Sequence, residues 1–285
     1  KCFGALVQYP AANGCVNDYS DFCAKAHEKG IFVAAYCDLL ALALLKEPAA
    51  WGADIAVGTS QRFGLPMGFG GPTAGFMATK DEYKRNLPGR IIGVSVDRLG
   101  NPATRLALQT REQHIKRENA TSNICTATAL MAIMTGMFAV WHGPKGIKEI
   151  ALNAWKSADA AAAKLKAAGV TVVCENFFDT IEVAGVDAKE IQKKALAKGF
   201  NFFYTAEGNV RISFDELSNC EEVQAVCEIF GCPEGCPGKQ PEPAFMARES
   251  EILTSPVFNT YHSETDMMRY IKKLERRDIS LTQSM

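Results

Sequence analysis

The chain is 285 residues long and 47% apolar, enough to bury one large core or two smaller ones. Its 31 Lys and Arg balance 32 Asp and Glu, which removes the basic field that nucleic acid or an anionic membrane surface would need. No apolar run approaches the roughly 20 residues that cross a bilayer, and the N-terminus lacks the tripartite pattern of a signal peptide.

From residue 3 to about residue 79, short apolar runs alternate with helical patterns, as in α/β proteins. The expected order is a strand over 3–7, a helix over 18–29 with Tyr19, Phe22 and Ala26 on one face, and a strand over 31–36. A helix over 39–45 and a strand over 54–57 follow. Strand, helix, strand implies a parallel sheet with crossover connections.

A long apolar stretch over 121–140, opened by several N-capping side chains, predicts a buried helix. A second helix is expected over 149–168, carrying Leu152, Trp155, Ala158 and Leu165 and stopped by Gly169. After it come strands over 171–174 and 180–183, a helix over 188–198, a strand over 210–214 and a helix over 221–230, the pattern of a compact α+β unit. Four prolines and two glycines between Cys232 and Pro243 mark a linker. Ser263 with Asp266 then resembles a capping box, opening a last helix with Met267, Tyr270, Ile271 and Leu274 on its apolar face. The domains expected are an α/β unit over 1–145, a small α+β unit over 146–231, and a linker plus helix over 232–285. A start at Lys1 just before a strand, and an end at Met285 with no stop signal, give the expectation that both ends lie within a longer protein.

The most informative segment is GTSQRFGLPMGFGGPTAGFMAT over 58–79, where a strand runs into a loop with glycines at 64, 68, 70, 71 and 75. Exposed N–H groups around Gly70 and Gly71 are candidates to cradle a phosphate. The spacing fits neither a dinucleotide fingerprint nor a P-loop, and a structural turn is the competing reading. Ten cysteines without regular spacing fit buried thiols in a reducing compartment better than a disulfide framework, and the steps between Cys220, Cys227, Cys232 and Cys236 do not make a zinc ribbon. His27, His142 and His262 carry no ligand spacing and read as structural.

Four strings, GTSQRFGLPMGFGGP, LPGRIIGVSVD, TREQHIKRENATSNICTA and FNTYHSETDMMRYIKKLERRDISL, resemble in order successive stretches of the N-terminal half of the glycine-decarboxylating P-protein family of the glycine cleavage system. The resemblance covers essentially the whole chain. It implies the fold-type I architecture of pyridoxal-phosphate-dependent transferases, with a large α/β domain followed by a small α+β domain. It also implies a dimeric assembly with a lysine-bearing catalytic half, fused or separate. The complete enzyme would decarboxylate glycine on pyridoxal phosphate and pass the aminomethyl group to the lipoyl arm of H-protein, in bacterial cytoplasm or in the mitochondrial matrix.

Matching Pro66–Pro72 to the glycine-rich loop of the catalytic half puts Gln61 where the Schiff-base lysine stands. An amide cannot form that linkage, because its nitrogen lone pair is delocalised into the carbonyl. The cofactor is therefore expected to be held covalently by the other half, with Gly70 and Gly71 approaching its phosphate from this one. Asp38 is a candidate relic of the carboxylate that faces the pyridine nitrogen, although matching Pro48 would put that position near Ala35 and the bland reading of Asp38 is a helix cap. Arg111, His114, Arg117, Ser122, Asn123 and Cys125, clustered before an apolar helix, are candidates to face a carboxylate substrate or an acidic lipoyl carrier, against the reading of a solvated charged face. Asn119 stands where the family string usually has lysine, and Cys125 lies where a helix dipole can lower a thiol pKa. The rival readings are a non-enzymatic pseudo-subunit that only binds or regulates a partner, and a complete aminotransferase-like enzyme using another lysine.

Overall fold

The computed structural model describes residues 2–120, 127–235, 243–277 and 279–282. β1 (Gly4–Tyr9), α1 (Ser20–His27), β2 (Phe32–Asp38), β3 (Ile55–Thr59) and β4 (Gly75–Thr79) form the first unit. β1, β2 and β3 are parallel neighbours, and β4 joins β3 antiparallel to complete a four-stranded sheet. The period-2 pattern of β2 turns Val33, Ala35 and Cys37 into the core and leaves Phe32 and Tyr36 outward. Beneath lie Tyr9, Leu40 and Trp51, the rings of Tyr9 and Trp51 meeting edge-on at 5.5 Å.

The helix expected over 39–45 is a single 3-10 turn, Ala41–Ala43. Asp38 Oδ1 accepts the amides of Leu40 and Ala41 and so opens a tight turn. The chain then runs extended, because Leu45 pairs with Ala247 and the Leu44 carbonyl accepts the amide of Arg248. The segment 243–277 is thus more than a linker: Met246, Ile252, Leu253 and Phe258 pack on the first core. β4 lies within the stretch read from sequence as loop, and β5 (Ile91–Val96) and β6 (Pro102–Ala107) form a separate antiparallel hairpin that the sequence reading did not include. A one-turn helix, α2 (Gln113–Lys116), follows.

In place of two separate helices, α3 (Ala129–Ala167) runs continuously except for a kink at Gly143, whose φ is 60°, followed by Pro144. The Phe258 carbonyl and the His262 ring occupy the space that a Cβ on Gly143 would fill. Pro144 has no N–H to give, and His262 Nδ1 donates to the Trp141 carbonyl at the break, 2.8 Å away.

Beyond Trp155, α3 passes into a second core. Here Ala158, Ala161 and Leu165 pack against the sheet of β7 (Thr171–Val172) and β8 (Thr180–Ala184), covered by α4 (Ala188–Ala197); β9 (Phe203–Tyr204) and β10 (Val210–Ser213) complete the sheet and α5 (Cys220–Ile229) packs on it. The sheet is antiparallel in the order β7-β8-β10-β9. Asp187 caps α4, and Asn219 with Glu222 forms a capping box on α5. α6 (Glu264–Glu275) is capped by Ser263, whose Oγ accepts the Asp266 amide. No helix among the described residues is long and apolar enough to cross a membrane.

One buried carboxylate ties the first sheet together. Asp54, 4% exposed, accepts from the Val33 amide at 2.9 Å and Lys80 Nζ at 2.6 Å, and pairs with His27 Nε2 at 2.9 Å. It thereby joins β2, the end of β4 and the end of α1. Burial works against its charge, but the bonds from Lys80, Val33 and His27 outweigh that and hold the carboxyl below its ordinary range. Asp54→Ala leaves the Val33 N–H unsatisfied and should cost about 1–3 kcal/mol in urea denaturation. Lys80→Ala, at a side chain 42% exposed, should cost no more than about 1 kcal/mol. A depressed carboxyl pKa contributes stability above the unfolded value that is lost as pH falls through the folded one. The gap between the native chain and Asp54→Ala should therefore narrow in acid; a constant gap would contradict this role.

Candidate functional site

The parallel strands β1, β2 and β3 end on one side of the sheet, the position where open α/β folds bind ligands. A cleft of about 480 Å³ lies there, between those strand ends and the second unit, walled by Tyr36, Asp38, Gln61, Arg62, Asp179 and Asp215 among others. Asp38 reaches it from the last residue of β2, with one oxygen spent on capping and the other turned to the cleft.

The cleft is organised around Arg62. Its Nη1 lies 2.9 Å from Asp38 Oδ2 and 2.7 Å from Asp179 Oδ2, so a single guanidinium nitrogen joins the two units. The guanidinium carbon stands 6.0 Å over the Phe178 ring, and Nη2 is buried without a hydrogen-bond partner among the described residues. Burial disfavours the charge on Arg62, but Asp38 and Asp179 beside it hold the guanidinium above its ordinary range. Burial pushes the Asp179 carboxyl up, against the pull of Arg62. Gln61 is half-buried in the same cleft, and its backbone N–H donates to Thr59 Oγ1 at 3.3 Å.

The glycine-rich loop leaves this cleft and projects outward. Ser60 anchors its base by donating its amide to the Ala74 carbonyl and by a 2.8 Å hydroxyl contact with Thr135. Gly68, Gly70 and Gly71 have φ of 52°, 110° and 140°, which explains the glycines by torsion. The expectation that the Gly70 and Gly71 amides cradle a phosphate does not fit this loop: both donate to the Met67 carbonyl, at 3.0 and 3.2 Å. What the loop presents instead is an apolar tip, with Met67 and Phe69 fully or nearly fully exposed.

Arg111 is also not partner-facing. It is 5% exposed, and its guanidinium donates to the carbonyls of Leu87 and Gly89, where it holds the base of the β5–β6 hairpin. Neighbouring Glu112 is buried with it. His114 and Arg117 lie on the exposed surface that follows. Ser122, Asn123 and Cys125 lie outside the described residues. The sequence reading passed over Arg62, adjacent to Gln61, and Asp179, more than 100 residues further along. A charged residue beside Gln61 was a signal for the first; nothing local marked the second.

The cysteines also depart from expectation. Cys15, in the loop after β1, and Cys174, between β7 and β8, are joined as a disulfide across 159 residues, with a Cα–Cα distance of 5.6 Å. Cys23, Cys37, Cys227 and Cys232 are buried free thiols.

The sequence model of the glycine cleavage system P-protein matches residues 1–230. Glycine dehydrogenase (decarboxylating) of Stenotrophomonas maltophilia (strain R551-3) is 50% identical over 288 residues, covering 99% of this chain and 30% of that protein. The protein of the same name from Flavobacterium johnsoniae is 51% identical over 291 residues, with 99% and 31% covered. The chain thus spans about 30% of the length of these relatives. Among solved structures, a glycine decarboxylase (P-protein) of the glycine cleavage system in inhibitor-bound form superposes with a TM-score of 0.72 at 37% identity, covering 79% of this chain and 54% of that one. An aspartate aminotransferase from Thermus thermophilus, at TM-score 0.52 and 16% identity, covers 80% of this chain and 63% of that one, and shows the fold alone. The architecture is fold-type I.

Arg62→Met strands Asp179, nine-tenths buried, without its cation and should lower stability by about 3 kcal/mol. Adding Asp179→Asn should recover part of that loss, because a neutral amide tolerates burial. A raised carboxyl pKa favours folding fully below the unfolded value and loses that contribution as pH rises through the folded one, so the Arg62→Met deficit should shrink in acid. Denaturant midpoints from pH 4 to 8 test this, and a deficit independent of pH would contradict it.

Proposed function

The chain belongs to the glycine cleavage system P-protein family, and from that premise we propose that it is the N-terminal, lysine-less part of a glycine-decarboxylating enzyme. The observation that carries this reading is the content of the cleft. Among the described residues no lysine lines it, Gln61 offers an amide in place of an amine, and Arg62 fills the space before Asp38. The pyridine-facing carboxylate of such a site must be free to meet a ring nitrogen; the Asp38 oxygens are committed to the Leu40 amide and to Arg62. The residues present do not fit covalent pyridoxal phosphate, and no chemical step passes through this cleft.

The remaining role is architectural. In this reading a lysine-bearing half, fused or separate, holds the cofactor and the glycine, and the two halves pair as in a dimeric fold-type I enzyme. The projecting loop, with Met67 and Phe69 at its tip, is suited to reach the partner half through apolar contact. His114 and Arg117 offer exposed positive charge to an acidic partner such as a lipoylated H-protein. The compartment is proposed to be the bacterial cytoplasm, or the mitochondrial matrix in a eukaryote.

Borohydride reduction of the complete protein with pyridoxal phosphate, followed by peptide mapping, should label a lysine outside this segment; a unique labelled lysine within it would contradict the proposal. Expressed apart from the lysine-bearing half, the chain should release no carbon dioxide from glycine. Coexpression should give a paired, active decarboxylase, whereas failure of the halves to associate would favour a pseudo-subunit with no part in the site.

A further inference from the structure

The cleft is bounded on one side by a covalent tie that the decarboxylation chemistry does not use. Cys15 follows β1 and Cys174 precedes β8, so their disulfide crosses the seam between the two units. The backbone around it is already in register. Cys15 pairs antiparallel with Phe177, and the Val16 amide donates to the Asn176 carbonyl at 2.9 Å. Gly14 backs so closely onto Thr180 that a Cβ there would lie 1.8 Å from the Thr180 carbonyl oxygen. Gly14, Asp179 and Thr180 all wall the cleft. The flanking backbone pairing sets the two cysteines at a Cα–Cα distance of 5.6 Å, within the range disulfides prefer.

We propose that Cys15 and Cys174 are a reversible thiol–disulfide site that sets how firmly the second unit is held against the cleft. Cys15 is half-buried and Cys174 is shielded at 7% exposure, so Cys15 is the more approachable of the two for a thiol from solvent. The oxidant is a small disulfide of the glutathione class. The Cys15 thiolate attacks one of its sulfurs, breaking that S–S bond and releasing one small thiol. The Cys174 thiolate then attacks Cys15 in the mixed disulfide, forming the protein S–S bond and releasing the second small thiol. Two protein thiols lose two protons and two electrons, and the oxidant becomes two thiols. Reduction runs the same steps backward.

The buried thiols among the described residues are poor competitors. Burial pushes Cys37 and Cys227 up to about 12 and raises Cys23 and Cys232 as well, so few of them are thiolate near neutrality. Cys2 is exposed and has no described cysteine bonded to it. Because the backbone bonds at the seam do not need the disulfide, the reduced protein keeps its fold. It loses only the covalent limit on how far the cleft wall can open. This inference is independent of the assigned reaction.

The test uses the complete protein, equilibrated in buffers of stepped reduced-to-oxidised glutathione ratio. Differential alkylation with mass spectrometry counts the Cys15–Cys174 crosslink, and hydrogen exchange follows the Val16 amide. Occupancy should pass from about one tenth to nine tenths over a roughly 100-fold range of [GSH]²/[GSSG], as a two-electron couple requires. Oxidation should slow exchange at Val16 by about 10-fold, since opening of the seam then has to stretch a covalent tie. Cys15→Ser and Cys174→Ser should each abolish that difference. The wild-type titration decides the matter even if a variant folds poorly. The proposal is overturned if the two cysteines carry only separate glutathione adducts, if the crosslink persists unchanged at every ratio, or if exchange at Val16 is the same in both states.

Discussion

The arrangement of this chain depends on one cation held between two carboxylates. Arg62 joins Asp38, at the end of a strand of the first sheet, to Asp179, just before a strand of the second. Two carboxylates facing each other in a half-dry cleft would repel; a charged guanidinium between them turns that repulsion into a bridge. The shape of the cleft follows from it. Asp38 is held at the strand end, the second unit is drawn toward the first, and the volume between them is partly filled by the bridging side chain. Lysine would be a poor substitute, because its single ammonium lacks the planar fork and the aromatic stacking that Arg62 makes over Phe178.

The rest of the architecture supports this bridge at a distance. Asp54 fixes β2 to the end of β4 and to α1, which places Asp38 at its strand terminus. Ser60, just before Arg62, is locked to Ala74 and to Thr135 on α3, so the loop that carries Arg62 leaves the sheet in one direction. The long helix bends at Gly143 and continues into the second core, carrying both cores on one element. At the cleft itself Arg62 binds and braces the two carboxylates, with Gln61 beside it.

Much of this was legible in the sequence, for physical reasons. The strands near residues 5, 34 and 56 and the helices at α4 and α5 obey strong local periodicity, and their caps are made by residues such as Asn219 and Glu222 acting within one turn. The family strings carried the fold type. What the sequence hid was long-range. The 39–45 stretch has helical composition but is drawn out by pairing with residues some 200 positions away, at Ala247 and Arg248. Arg111 reads as a surface charge, yet it turns inward to two backbone carbonyls. Glycines at 70 and 71 suggest open amides, and only the backbone path reveals that the Met67 carbonyl already takes both. Asp179 and the Cys15–Cys174 pair are contacts between distant segments, and no local pattern announces a partner more than 100 residues away.

The central claim is that Arg62, rather than a cofactor, occupies the cleft at the strand ends of this chain. An experimental structure of the complete protein with pyridoxal phosphate tests it most directly. The account predicts density for the Arg62 guanidinium between Asp38 and Asp179, with the cofactor ring and phosphate held by a lysine-bearing region elsewhere. Density for the pyridine ring or its phosphate within this cleft, with Arg62 swung out of its bridge, would contradict it.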